Sequence, residues 1–383
     1  MKARFGFGAV LAVIMGVATF ALTIFAVLAS QLIEEFGIAR WQVGALVTAS
    51  SAAGAVLSPT IGRLTDRFGA RRSALGNLGL GTVALIALAV APTFALLVIA
   101  ALVTGVSQGM ANPATNKLIS LHVQPGERGL ITGIKQSGVQ IGTVIGGLTL
   151  PFFALLWGWR WAVAFFAGVA AVGLLSAVVM LPTDPRRREG VVLATTRVPT
   201  DIFRLALYGF LLGAGGTALF TYTALYGQEM LGYSEAAAGA VVALMGVVGI
   251  VSRIAWSRAA ERGHRYRGSL VWLAALATGA ALLMAASQLA PPLIWLAAAT
   301  TGLSASAWNS VGMLAIMFMV PAATAGRASG VVLFGFLAGL GLGAPVFGWS
   351  VDALGTYLPG WLAAAALFAA GWLVAQSLPK DNS

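Results

Sequence analysis

The feature that most constrains this chain is a series of twelve apolar stretches of about 20 residues or more, separated by short polar segments. An α-helix needs about 20 apolar residues to cross the hydrocarbon core of a bilayer. We therefore predict twelve membrane spans, at residues 6–32, 41–62, 73–91, 94–120, 130–156, 160–181, 203–228, 235–257, 269–289, 293–320, 328–350 and 358–378.

The composition excludes an ordinary soluble domain. Of the 383 residues, 59% are hydrophobic and 9% are charged, whereas a soluble domain carries roughly a quarter charged residues. The first apolar stretch is too long for the hydrophobic region of a signal peptide, so we interpret it as the first span. The fold class predicted from these observations is an all-α integral membrane protein.

The positive charges are distributed unevenly between the two sets of loops. Only Arg40 and Arg160 fall in the odd-numbered loops. The even-numbered loops and the termini carry the remaining loop cations: Lys2, Arg4, Arg63, Arg67, Arg71, Arg72, Arg128, Arg186, Arg187, Arg188, Arg197, Arg204, Arg258, Arg262, Arg265, Arg267, Arg327 and Lys380. Because cytoplasmic loops are enriched in Lys and Arg, we predict that both termini are cytoplasmic. The net charge of +11 is explained by this topology, without a nucleic-acid partner.

The longest polar segment divides the chain into two sets of six spans. We predict an N-terminal bundle over 1–181, a cytoplasmic linker over 182–201 and a C-terminal bundle over 202–383.

The two halves also repeat each other. Asp66 and Arg67 meet Glu261 and Arg262 at an offset of 195, and four glycines of span five meet four glycines of span eleven at an offset of 197. Duplicated six-helix halves are a recurrent architecture of membrane transporters.

The segment from Gly62 to Arg72, GRLTDRFGARR, joins spans two and three. It resembles the cytoplasmic signature loop of the major facilitator superfamily of membrane transporters. The resemblance implies two pseudo-symmetric six-helix bundles and transport by alternating access. It also implies that acid–Arg pairs of this loop and of its repeat hold the cytoplasmic side shut. On that basis the gating residues are Asp66, Arg67, Glu261 and Arg262; the alternative is that they only fix the topology.

Two cations lie inside predicted spans, Lys135 in span five and Arg253 in span eight. A charge at mid-helix costs about 2.5–3.5 kcal/mol on insertion scales, and no carboxylate at similar depth is evident in the sequence. An anionic substrate would neutralise them. The family architecture implies that spans five and eight lie beside each other, so that both cations face one substrate. The alternative is that each side chain extends to the membrane edge.

Arg253 resembles the eighth-helix Arg of monocarboxylate and oxalate carriers within the superfamily. Two departures limit this resemblance: Gly249 stands where monocarboxylate carriers have an Asp, and span eleven has no Lys.

Uncharged polar side chains on four spans complete the predicted substrate site. They can bond a carboxylate or an alcohol group, or they can bond one another between helices. The set consists of Gln108, Asn112, Gln136, Gln140, Tyr222, Tyr226 and Asn309.

Nothing in the sequence favours an enzyme, a cofactor or a metal site. The chain has no cysteine, its two histidines fall in separate short loops, and it has no nucleotide-binding glycine loop followed by Lys-Ser or Lys-Thr. We expect a monomer in the lipid bilayer of the cell membrane, with a small anion as substrate and a proton as candidate co-substrate.

We therefore predict a secondary active transporter that moves a small, monocarboxylate-like organic anion. The alternative within the same fold is a drug or metabolite exporter that works by proton antiport. A membrane sensor that transports nothing is a third hypothesis, disfavoured by the short termini and the small central linker.

Overall fold

The structure, a computed structural model, describes residues 2–38, 40–184, 198–263 and 265–379. Within these residues the regular structure is entirely helical. The helices are α1 (Lys2–Val27), α2 (Ala29–Phe36), α3 (Arg40–Phe68), α4 (Ala70–Ala89), α5 (Phe94–His122), α6 (Arg128–Trp157), α7 (Trp159–Met180), α8 (Thr200–Leu231), α9 (Glu235–Arg262), α10 (Tyr266–Ala286), α11 (Leu293–Leu303), α12 (Trp308–Met319), α13 (Ala325–Leu354) and α14 (Leu358–Gln376).

Twelve candidate spans among the described residues are long and apolar enough to cross a membrane, which confirms the predicted number. Two predicted spans differ from the helices that form them. Span one divides into α1 and α2 at Leu28, and span ten divides into α11 and α12 at residues 304–307.

The predicted loop from Gly62 to Arg72 is mostly helical. Helix α3 continues through Phe68 and α4 begins at Ala70, so Gly69 alone makes the turn. Its φ of +105° lies in a region that side chains disfavour. The signature segment is therefore a pair of helix ends joined by one glycine.

The described residues form two compact units. Unit 1 comprises Met1–Gln124, Ile134–Pro199 and Val320–Phe334, and unit 2 comprises Pro125–Gly133, Thr200–Met319 and Gly335–Ser383. The domain boundaries predicted at 181 and 202 stay a prediction. The predicted linker falls largely on residues 185–197, which lie outside the described residues.

An arginine in the third helix of each six-helix set binds the carbonyl groups at the end of the last one. In unit 1, Arg71 of α4 donates to Val178 O at 2.6 Å and to Leu181 O at 3.2 Å. In unit 2, Arg267 of α10 donates to Gln376 O at 2.6 Å. The last carbonyl groups of a helix lack partners within it. Each arginine therefore caps the last helix of its set and links that helix to the third one.

Candidate functional site

A buried lysine and a set of neutral polar side chains form the most unusual site in unit 1. Lys135 of α6 is fully buried. Its Nζ donates to Thr115 Oγ1 at 2.9 Å, to Asn112 Oδ1 at 3.2 Å and to Asn116 Oδ1. The three acceptors lie at positions i, i+3 and i+4 of α5, and this spacing places them on one helical face. The side chain is therefore bonded inside unit 1 and has no exposed surface.

Two further hydrogen bonds extend this cluster. Gln136 Nε2 donates to Asn112 Oδ1 at 2.9 Å, and Asn116 Nδ2 donates to Ser329 Oγ at 2.7 Å. Sequence reasoning missed Asn116 as a site residue, although its spacing from Asn112 could have indicated it. It also missed Ser329, which lies 213 residues away from Asn116, and no sequence pattern pointed to that contact.

The acceptors around Lys135 are all neutral. An ammonium group has three donors and no acceptor, and each donor has one oxygen here. Among the described residues, no ion pair involves Lys135. The site therefore holds the amino group of Lys135 in place by hydrogen bonds to neutral oxygens alone, among the described residues.

The other glutamines predicted for the site are not bonded to Lys135. Gln108 is buried on α5 and Gln140 is half-buried on α6. Neither side-chain oxygen has a hydrogen-bond partner among the described residues. Both remain available for a ligand, and their assignment stays a prediction.

In unit 2, Arg253 is buried on α9 beside the interruption of span ten. Its carbonyl oxygen accepts a hydrogen bond from Ser310 Oγ at 3.1 Å. Asn309, the next residue of α12, is also buried, and its Oδ1 has no partner in the described part of the chain. The structure thus brings the backbone of Arg253 close to the start of α12, where Asn309 was predicted to act.

The two tyrosines predicted for the site belong to an aromatic cluster in unit 2. Tyr226 is fully buried, and its hydroxyl lies 2.8 Å from Ser287 Oγ. Tyr222 stacks on Phe347 at a centroid distance of 4.8 Å and donates to Ala344 O at 3.0 Å. Both hydroxyl groups are therefore engaged by neighbouring helices, and Tyr226 has no exposed surface for a ligand.

Among the predicted gating residues, Asp66 caps a helix. The carboxylate accepts from the backbone N–H groups of Gly326 at 3.1 Å and Arg327 at 2.8 Å, at the start of α13. It also pairs with Lys117 Nζ at 3.0 Å. A negative charge at a helix N-terminus satisfies unpaired N–H groups and opposes the helix dipole. Lys117, which sequence reasoning left out of the gate, is thus the partner of Asp66.

Glu261 makes the equivalent contact in unit 2. Its carboxylate accepts from the backbone N–H groups of Gly126 at 2.8 Å, Arg128 at 2.9 Å and Gly129 at 2.6 Å, at the start of α6. Gly129 corresponds to Gly326 at the repeat offset of 197. The two predicted acids therefore bind corresponding helix ends within their own units.

The two predicted gating arginines are both exposed. Arg67 lies 5.6 Å from the ring centre of the neighbouring Phe68. Among the described residues, no hydrogen bond or ion pair joins either arginine to Asp66 or Glu261, so their gating role stays a prediction.

A third carboxylate, which sequence reasoning missed, caps α4. Asp184 accepts from the backbone N–H groups of Ala70 at 2.9 Å and of Arg71 at 3.1 Å. An added side chain at Gly69 would collide with this carboxylate. Three helices of the described chain thus begin on an acid supplied by another segment.

At the other end of unit 1, Glu35 binds the start of α7. It accepts hydrogen bonds from Trp159 Nε1 and from Arg160 Nε, the latter at 3.1 Å. Burial alone would raise the pKa of Glu35, but these bonds and the charge of Arg160 hold that pKa below its ordinary value. No group of three or more metal-ligating side chains occurs among the described residues.

Comparisons with known proteins agree with this architecture. The chain is 32% identical to the puromycin resistance protein pur8 of Streptomyces alboniger, over 54% of this chain and 40% of pur8. It is 28% identical to the probable nitrate/nitrite transporter NarK2 of Mycobacterium tuberculosis, over 69% of this chain and 68% of that protein. The chain spans well under half the length of the first curated relatives that it matches.

Among solved structures, the human organic anion transporter MFSD10 has a TM-score of 0.82 at 16% identity, with 97% of this chain and 99% of that chain covered. This likeness confirms the predicted twelve-helix fold. A family profile described as the Major Facilitator Superfamily matches residues 11–339. Members of that family are transporters and not enzymes. The chain therefore belongs to the Major Facilitator Superfamily and is a multi-pass membrane protein.

Proposed function

We propose that this chain is a secondary active transporter that moves a small organic anion of the monocarboxylate type by alternating access. The single observation that carries the proposal is the buried amino group of Lys135, which is bonded to Asn112, Thr115 and Asn116 and, among the described residues, to no carboxylate. A buried charge is costly unless it is paired. A carboxylate ligand supplies the missing negative charge.

Arg253 of α9 is the second proposed cation. It is buried within a span, as Lys135 is, and its fork of five N–H donors suits a carboxylate. Gln108, Gln140 and Asn309 are proposed to bond the rest of the ligand, because each has a side-chain oxygen without a partner among the described residues. Tyr222 and Tyr226 stay predicted contacts, although the hydroxyl group of each already lies within hydrogen-bond distance of another residue.

The relatives support transport, but their names cover at least three substrate classes: drugs, sugars and inorganic anions. NarK2, named for nitrate and nitrite, matches more of this chain than pur8 does. This favours an anion, although nitrate is inorganic and smaller than a monocarboxylate. The choice between an organic and an inorganic anion is therefore part of the test.

The first experiment is ligand-induced thermal stabilisation of the purified protein with small carboxylates and inorganic anions. We expect one anion to raise the melting temperature of the wild type, and Lys135→Ala and Arg253→Ala each to abolish that rise. Lys117→Met is the matched control, because it removes a buried lysine that already has a carboxylate partner. It should keep the ligand-induced rise. Stabilisation by neutral or cationic compounds alone, unchanged in both variants, would overturn the anion proposal.

We propose that Asp66 and Glu261 gate transport, since each holds the start of another helix. With the basic loops facing the cytoplasm, this gate is on the cytoplasmic side of the cell membrane and both termini are inside. Arg67 and Arg262, which follow the two acids in the sequence and are exposed cations, are proposed to belong to the same gate. The alternative is that they only fix the orientation in the membrane.

Proton symport is the proposed source of energy. Moving one anion inward against a potential of 100 mV, negative inside, costs about 2.3 kcal/mol, and one accompanying proton removes that cost. Lys135 is the proposed carrier because it is the buried amine at the substrate site. Uptake by proteoliposomes should acidify the lumen and be electrically silent for a monovalent anion. Electrogenic uptake without proton movement would replace symport by uniport or anion exchange.

A drug exporter is the second candidate, favoured by the 32% identity to pur8. Against it, every acidic residue of the sequence lies in a loop or near the end of a predicted span. Asp66 and Glu261 are also bonded to helix ends, so they are not free to bind a cationic drug. Puromycin accumulation in cells that express the chain tests this candidate. Lower accumulation that depends on the protein would promote export over anion uptake.

A further inference from the structure

Two adjacent residues of α5 connect the Lys135 cluster with the gate. Asn116 accepts from Lys135 Nζ and donates to Ser329 of α13. Its neighbour Lys117 pairs with Asp66, and that carboxylate caps the same end of α13. All of these residues belong to unit 1.

The first turns of α13 are therefore held at three places within unit 1. Asp66 accepts from the backbone of Gly326 and Arg327, Asn116 bonds Ser329, and Ser58 Oγ donates to Gly330 O at 2.9 Å. Only the bond through Asn116 leads to Lys135.

The donors of Lys135 leave no room for an additional ligand bond. An ammonium has three donors, and all three are used, so an anion can bond Nζ only by replacing one of the oxygens. Thr115 is also tied to its own helix, because its hydroxyl bonds Ala111 O at 2.6 Å. Asn112 Oδ1 is also shared with Gln136. Asn116 is the acceptor whose side chain reaches the start of α13.

We propose that an anion arriving at Lys135 displaces the side-chain oxygen of Asn116, and that the resulting rotation of this amide breaks its bond to Ser329. Asn116 and Ser329 are then positioning residues that transmit occupancy of the cation site to the start of α13, beside the Asp66 cap. The part of this inference that concerns the anion rests on the proposed function. The connection itself can be tested without any ligand.

The test is a double-mutant cycle read by cysteine accessibility. The chain has no cysteine, so Ala325→Cys, at a fully buried position at the start of α13, gives a single labelling site for N-ethylmaleimide. Lys135→Met removes the ammonium and frees Asn116 to turn away from Ser329. We expect it to raise the labelling rate about twofold or more, because the smallest couplings measured between residues in such networks correspond to about a twofold change. In a Ser329→Ala background the same change should have no effect.

Ser58→Ala is the matched control, because it removes a similar buried hydroxyl bond to the neighbouring residue of α13 without touching the Lys135 cluster. In this background Lys135→Met should still raise the labelling rate. An equal effect of Lys135→Met with and without Ser329 would overturn the inference. If Lys135→Met does not fold, Asn116→Ala replaces it. Asn116→Ala and Ser329→Ala should then each raise the rate, and the double variant should raise it no further; additive effects would overturn the inference.

A second experiment, in which acetate is added as the ligand, separates this inference from the proposed function. Acetate should raise both the melting temperature and the labelling rate of the wild type, and in Ser329→Ala it should raise the melting temperature alone. If acetate raises the melting temperature and the labelling rate of both the wild type and Ser329→Ala, the inference is overturned, whereas the proposed anion site is supported. A coupling in the mutant cycle together with no effect of any anion would support the connection and sink the proposed substrate.

Discussion

At the scale of single residues, close backbone contacts decide which glycines are needed. Gly138 and Gly142 both belong to the glycine series of span five that is repeated in span eleven. An added Cβ at Gly138 would collide with the backbone of Ala12 in α1, whereas one at Gly142 would meet its nearest atom, Gly16 Cα, at 3.5 Å. The two glycines belong to the same sequence series, but the close backbone contact requires glycine at position 138 and not at position 142.

We predict that Gly138→Ala destabilises the protein by about 1–3 kcal/mol, the usual cost of overpacking, because α1 must move away from α6. Gly142→Ala is the matched control and should stay within about 0.5 kcal/mol of the wild type, since its new methyl group makes an ordinary contact. Thermal unfolding in detergent measures both. Equal melting temperatures for the two variants would contradict the prediction.

At the scale of helices, span ten shows how an interrupted helix is tolerated inside a membrane. The chain leaves α11 at Leu303 and enters α12 at Trp308. Two side chains of α9 bind carbonyl groups at the end of α11. Ser252 Oγ donates to Gly302 O at 2.8 Å, and Trp256 Nε1 donates to Leu303 O at 3.0 Å. Lipid offers no hydrogen bonds, so a freed carbonyl needs such a partner.

We predict that Ser252→Ala costs about 1–3 kcal/mol of stability, because it leaves a buried carbonyl group without its partner. Thr300→Val is the control: its hydroxyl bonds Leu296 O within the same helix, and its loss should be nearly neutral. Urea or thermal unfolding compares the two variants. A neutral Ser252→Ala would show that the interruption does not depend on α9.

The contact between α2 and α7 should make stability depend on pH. Because the folded pKa of Glu35 is lowered, its bonds to Trp159 and Arg160 stabilise the protein above the ordinary pKa of a glutamate. That stabilisation is lost as the pH falls through the folded pKa. We predict that Glu35→Gln lowers the melting temperature at pH 7 and has a smaller effect near pH 3. Glu34→Gln, an exposed neighbour, is the control, and identical pH profiles for Glu35→Gln and the wild type would contradict the prediction.

At the scale of the whole molecule, the internal repeat unites features that look separate along the chain. Asp66 and Glu261 stand at corresponding positions, and each caps the helix whose first turn carries Gly326 or Gly129. The same carboxylate-to-helix contact therefore occurs once in each unit.

The distribution of basic residues predicts the orientation of the whole molecule in the membrane. We expect Gln124→Cys, at an exposed position between α5 and α6, to react with an impermeant maleimide only after cells are permeabilised. Leu289→Cys, at a position 91% exposed between α10 and α11, should react in intact cells. The wild type, which has no cysteine, is the blank. The reverse labelling pattern would invert the proposed topology.

The sequence by itself determined the class of the protein, the number of its spans and its family. These depend on local properties, namely runs of apolar residues, the sides on which arginines fall and one dense motif from Gly62 to Arg72. It also singled out Lys135, because a charge in an apolar stretch stands out without any knowledge of its neighbours. The acids Asp66 and Glu261 were found in the same way, through their repeat.

Only the tertiary structure decided which groups these residues bind. Asp66 pairs with Lys117 and a helix end rather than with a loop arginine, and Lys135 shares Asn116 with Ser329. The interruption of span ten could not be predicted, because residues 293–320 form one continuous apolar stretch in the sequence. The hydrogen bonds that satisfy the freed carbonyl groups come from a different helix, α9. Packing also places the ring of Tyr226 edge-on against Trp361, a contact that the sequence did not indicate. Hydrogen bonds between helices depend on how side chains from distant segments meet, and hydrophobic periodicity carries no information about those meetings.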